Sequence, residues 1–121
     1  MEIAYWIVAG VLAAAFVFAG VFKIVTPKEQ LKAKGMNWTD AFSQAGVRGI
    51  GTAEILGAIG VIVPPLTGMV PWLAPVAALG LVAVMIGAIR AHLKLGDTII
   101  PNVILAALAL ATAVLGFILW V

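Results

Sequence analysis

Glu54 stands inside an apolar run, GVRGIGTAEILGAIGVIVPP, that reaches from Gly46 to Pro65. A carboxylate in such a setting accepts hydrogen bonds, pairs with a cation or takes up a proton, and it must do one of these to be tolerated. The cations and the titratable ring that could meet it are Lys23, Arg48, Arg90 and His92. Arg48 is six positions from Glu54, so the two do not share a helix face. Lys23 or Arg90, arriving from another helix, is the better partner, although long basic stems also reach outward to the interface. This cluster either fixes helix register as a polar clasp or lines a pocket that binds a polar head group, a quinone ring or a proton.

Other chemistries have little to work with. The chain has no cysteine and one histidine, so thiol redox and a metal centre are not expected, and no catalytic residue is assigned. His92 sits between Arg90 and Lys94, the usual place for an interfacial side chain. Ser43 is the only serine and belongs to no acyl-transfer motif. The glycines fall within apolar runs and form no phosphate-binding loop.

The elements that must position these residues are set by composition. Of 121 residues, 64% are hydrophobic and only 10% are charged. Ordinary globular chains are about 45–50% apolar and about 25% charged. Four apolar segments, at about 3–25, 46–63, 71–93 and 101–121, each approach the ~20 residues a helix needs to cross the hydrocarbon core. The chain reads as a single transmembrane domain over 1–121. Its first run follows Glu2 rather than a basic stretch and is too long for the core of a cleavable leader, so it reads as a span. Pro64, Pro65, Pro71 and Pro101 mark span ends, and Pro75 falls in the first turn of the third.

The connections differ in length. The second, PPLTGMVP, is a tight hairpin and the third, KLGDTII, is also short. In the first, Thr26-Pro27-Lys28-Glu29 has the capping-box pattern and Gly35 suits a C-cap. A short interfacial helix is predicted near 27–34, with Leu31 toward lipid and the lysines toward water. Short links favour an all-α, up-down-up-down four-helix bundle.

All seven Lys and Arg residues lie in or beside the first and third connections. By the positive-inside rule those connections are cytoplasmic, and both termini lie outside a cytoplasmic (inner) membrane. Tyr5, Trp6, Trp72 and Trp120 would ring the outer interface, with Trp38 at the inner one. The pI of about 9.3 reflects these topogenic cations, and no nucleic-acid partner is expected.

Hydrophobicity does not hold helices together in lipid; small residues that allow close approach do. Ala45, Gly49, Ala53 and Gly57 form such a ridge on the second span. Ala83 and Gly87 offer one on the third, Ala109, Thr112, Ala113 and Gly116 on the fourth, and Gly10 and Ala14 on the first.

Several motifs then carry a resemblance. They are AGVFKI at 19–24, MNW at 36–38, RGIGTAEILGAIGVIVPPLTG at 48–68, LAPVAALGL at 73–81, MIGAIRAHLKLGD at 85–97, and Asn102 at the start of the last span. In these the chain resembles the DoxX-like family of small bacterial four-helix membrane proteins over nearly its whole length. Asn37 stands where that pattern leads one to expect proline. The resemblance implies a four-span bundle in the cytoplasmic membrane and singles out Lys23, Arg48, Glu54 and His92. Relatives include subunits associated with thiosulfate–quinone oxidation and partners in oxidative-stress membrane complexes.

Three functions follow as expectations. The first is a non-catalytic accessory subunit, packed beside a larger membrane redox or respiratory complex or a second copy of itself, in contact with membrane lipid. The second is a quinone- or lipid-binding subunit of an oxidoreductase that uses the Glu54, Lys23, Arg90 and His92 cluster, with no covalent cofactor. The third is a minimal proton or solute transporter.

Overall fold

The computed structural model describes residues 1–35, 42–96 and 98–121. The Met36–Trp38 motif, Trp38 as an inner-interface aromatic, and Asp97 lie outside them. Among the described residues the chain forms five helices: α1 (Glu2–Val25), α2 (Lys28–Ala33), α3 (Gln44–Thr67), α4 (Leu73–Leu95) and α5 (Ile100–Trp120). Four of them, α1, α3, α4 and α5, are long and apolar enough to cross a membrane. At 1.5 Å per residue each covers roughly 31–36 Å, matching a hydrocarbon core of about 30 Å. The protein is a multi-pass membrane four-helix bundle with α2 in its first connection.

Neighbours in the bundle are antiparallel and close a ring. Tyr5 of α1 meets Val61 of α3 while Gly20 meets Gly51. Gly57 and Gly60 of α3 meet Leu81 and Ala77 of α4, Pro75 of α4 meets Gly116 of α5, and Tyr5 stacks edge-on against Trp120 of α5. The core between them is Leu12, Phe16, Val61, Leu81 and Met85, with small residues Ala9, Ala58, Ala78, Ala109 and Ala113 where backbones approach.

The second span runs further than its prolines suggested. α3 continues through Pro64 and Pro65 to Thr67 and ends at Gly68, whose φ of 72° needs no Cβ. A proline at position 65 removes the N–H that would bond the Val61 carbonyl. The Tyr5 hydroxyl donates to that carbonyl instead, at 2.5 Å. Thr67 Oγ1 donates to Val63 and Pro64 carbonyls in the same turn. Freed backbone groups in a span are tolerated when a neighbour satisfies them, as here. Tyr5 is fully buried between helices at this end of the bundle, and Trp6 and Trp120 pack edge-on around it.

The first connection departs from expectation in two ways. Pro27, not Thr26, caps α2, and no side-chain capping bond forms. Thr26 is buried in the extended link that closes α1. Leu31 is 0% exposed, because the only large apolar side chain of a six-residue helix gains more by covering the bundle than by meeting lipid. Lys34 Nζ lies 5.0 Å from the Phe22 ring centroid and holds the end of α2 back on α1. Gly35 follows with a φ of 95°.

A polar cavity beneath the α1–α3 crossing

Lys23 lies in the last turn of α1, and Glu54 lies in the half of α3 that is cytoplasmic in the topology read from charge. Lys23 Nζ donates to Glu54 Oε1 at 2.6 Å. The Glu54 side chain is 1% exposed and that of Lys23 15%, so the carboxylate is taken out of solvent while the ammonium keeps an edge to it. Such pairs hold only with close geometry, since desolvation opposes them.

Two glycines make that geometry. A Cβ on Gly20 would stand 2.6 Å from the Gly51 carbonyl oxygen, and one on Gly51 would stand 2.6 Å from the Gly20 oxygen. The α1 and α3 backbones touch there. Each glycine precedes its charged residue by three positions, and because the helices are antiparallel Lys23 and Glu54 stand one turn to either side of the contact, their side chains leaning back toward their own N-termini and so toward each other. Gly51 also has Lys23 Cβ within 3.1 Å of its absent methyl. The paired Gly-x-x-Lys and Gly-x-x-Glu spacing is the sequence signal for this site. It is a spacing of three, so ridges of small residues four apart do not contain it.

Beside the pair is a cavity of about 590 Å³. Ile50 and Glu54 line it from α3, Val84, Ala88 and Ala91 from α4, and Lys23 closes the α1 side. His92 and Asn102 supply further polar groups, and Asn102 Nδ2 also approaches the Met85 sulfur at 3.9 Å. The walls are otherwise apolar. Asn102, Phe42 and Thr98 were not among the predicted site residues. They come from the ends of elements and are brought in only by the bundle's closure.

Of the predicted cluster, then, Glu54, Lys23 and His92 meet at one cavity. Arg48 and Arg90 do not: both are exposed and neither lines it. Six residues rotate Arg48 about 240° from Glu54, and two residues rotate Arg90 about 200° from His92. Both basic heads face outward. The helix-packing residues also differ from expectation. Gly49 and Gly87 have nothing within 4 Å of where a Cβ would stand, and Ala53 and Ala83 are exposed. Gly10 and Ala14 likewise face outward. Gly57 does pack, with Leu81 Cδ2 only 2.5 Å from where a Cβ would stand, and so do Ala109, Thr112, Ala113 and Gly116. Close approach belongs to Gly20, Gly51, Gly57, Gly60 and Gly116, which point inward by rotation rather than by spacing alone.

Among the described residues, no three His, Asp or Glu side chains gather where they could hold a metal ion. What the site offers is an ion pair, a few further donors and acceptors, and an apolar room large enough for a small organic head group.

Comparison with curated proteins gave no match, and comparison with solved structures gave none. A family model does match, and it spans residues 7–116. That stretch starts in α1 beside the Tyr5–Trp6 packing, takes in Lys23, Glu54, His92 and Asn102, and ends at the Gly116–Pro75 contact, so bundle and cavity together fall within it and the chain belongs to the DoxX-like family.

Proposed function

We propose that this DoxX-like protein is a membrane subunit that binds a small amphiphile, the head group of which sits against the Lys23–Glu54 pair. The observation that carries the reading is the cavity itself, with apolar walls and one buried ion pair in its side. Intramembrane ionisable groups are placed at a cost and mark sites of binding or transfer.

The pair also selects the ligand's charge. Lys23 and Glu54 together carry no net charge, and a proton passed between them leaves that sum unchanged. A charged head group brought into this setting would be uncompensated, which is costly at low dielectric. A neutral ring that carries carbonyl or hydroxyl oxygens accepts from Lys23 or His92 and exchanges a hydrogen bond with Glu54 or Asn102. A quinone or quinol ring has this chemistry, whereas a phosphate head group does not. The chain has no thiol of its own for electron transfer. The reading therefore makes the protein a binding partner within a larger membrane redox assembly, which holds the ring rather than oxidising it.

The test is purification in mild detergent or nanodiscs with identification of the small molecules carried along, then titration with a quinone. Wild-type protein is expected to retain quinone, and Glu54→Gln to retain at least about tenfold less, equivalent to about 1.4 kcal/mol. Wild-type protein that carries none and binds none when it is added overturns the reading.

A further inference from the structure

We infer that the ligand enters from the side, between α3 and α4, and that its apolar chain lies along the outer seam of those two helices. The inference rests on the head-binding reading above and extends it from the ring to the whole amphiphile.

α3 and α4 are clamped where Gly57 receives Leu81 and Gly60 receives Ala77. Below that clamp, toward the charged end, they part and the cavity lies between them. Ala83 and Gly87 are exposed on the outer side of α4 and yet line the cavity, so one mouth lies on the lateral surface of the bundle, besides the opening at its end where the exposed Phe42, Thr98 and Pro101 line it. Gly87 is eight residues from the end of α4, roughly 12 Å below the interface. That mouth faces hydrocarbon, not water.

From the mouth a second hollow of about 280 Å³ runs along the seam, with Val84 as the wall common to both. Ala53, Gly57, Ala77 and Gly80 make it shallow-walled and wholly apolar. It leads away from Lys23 and Glu54 toward the middle of the membrane. The polar groups of the first hollow and the apolar side chains of the second, Leu56, Leu81 and Val84 among its glycines and alanines, reproduce the layout of one molecule with a hydrogen-bonding head and a single chain leading away from it. In lipid there is no hydrophobic drive to close such a seam, and its occupant is held by van der Waals fit. A slender chain fits a groove floored by glycine and alanine.

The probe is a ubiquinone-type ring on an isoprenoid tail that carries one diazirine near its middle, applied to the protein in phospholipid nanodiscs. Adducts competed by excess unlabelled long-tailed quinone are mapped by mass spectrometry. They are expected on the α3–α4 seam, around Leu56 and Val84, and to fall about tenfold in Gly80→Phe and in Ala53→Phe. Position 80 has nothing within 4 Å of a Cβ and position 53 is exposed, so both changes fill the groove without entering the core. Gly10→Phe, on the outer face of α1, serves as the control. Seam adducts that persist in both variants, or adducts spread over the other outer faces, overturn the inference. A change of oligomeric state in Gly80→Phe with adducts unaltered also overturns it and makes the groove a seat for another helix. Calorimetry with the tailless ring separates the two readings. A ring that binds wild type and is lost in Glu54→Gln, without seam adducts, removes only the lateral groove. A ring that never binds removes the head site as well.

Discussion

Lys23 and Glu54 are close enough for a clasp and face a room large enough for a ligand, so the clasp and the proposed binding role rest on one pair that a single substitution cannot separate. Removing Lys23 leaves Glu54 buried without this cation, which costs about 3 kcal/mol in comparable interiors. Removing both leaves neutral side chains and returns most of that stability, yet the ring loses its hydrogen-bonding partners. Lys23→Met is therefore expected to lower resistance to SDS unfolding, and Lys23→Met with Glu54→Leu to recover it, while quinone binding stays lost in the double variant. Recovery of binding along with stability would make the pair a clasp only. At this scale the sequence was partly legible. Glu54 announces itself because a carboxylate within an apolar run has few reasons to be there. The choice between Lys23 and Arg90 stayed open because it depends on how each helix is rotated, and a run that is apolar all round carries little signal for rotation.

At the scale of elements, α3 shows how a span is completed by its neighbour. Its two prolines near the C-terminal end deprive it of backbone bonds, and Tyr5 from α1 replaces one of them at Val61. Tyr5→Phe is expected to destabilise the bundle by about 1–2 kcal/mol, since a buried carbonyl is left unsatisfied and interhelical bonds in membranes are of modest strength. Adding Pro65→Ala restores an N–H for that carbonyl. The double variant should then regain most of the loss, and measured SDS or steric-trap unfolding free energies that simply add would sink this account. The existence, number and order of the spans could be read from apolar run length alone, and α2 from its turn residues. The end of α3 could not, because proline stops a helix only where nothing else takes over its carbonyls. The inward turn of Leu31 was likewise hidden, since a six-residue helix has no periodicity to show which face it buries.

At the scale of the whole molecule, the cavity, the charged connections and the ends of α1 and α4 that bear Lys23 and His92 share one end of the bundle, and the Tyr5–Trp6–Trp120 cluster marks the other. From the Lys and Arg bias the cavity end is expected inside the cell and both termini outside. This orientation decides from which leaflet a ligand reaches the mouth between α3 and α4 and on which side a partner meets its head group. The chain has no cysteine, so single cysteines can report it directly. Met69→Cys lies in the exposed α3–α4 hairpin and Lys34→Cys in the exposed end of α2. An impermeant maleimide is expected to label Met69→Cys in intact cells and Lys34→Cys only after permeabilisation. The reverse pattern would turn the bundle over. The cavity would then open beside the outer leaflet, and any partner of the proposed binding subunit would have to be sought on the outer face of the membrane.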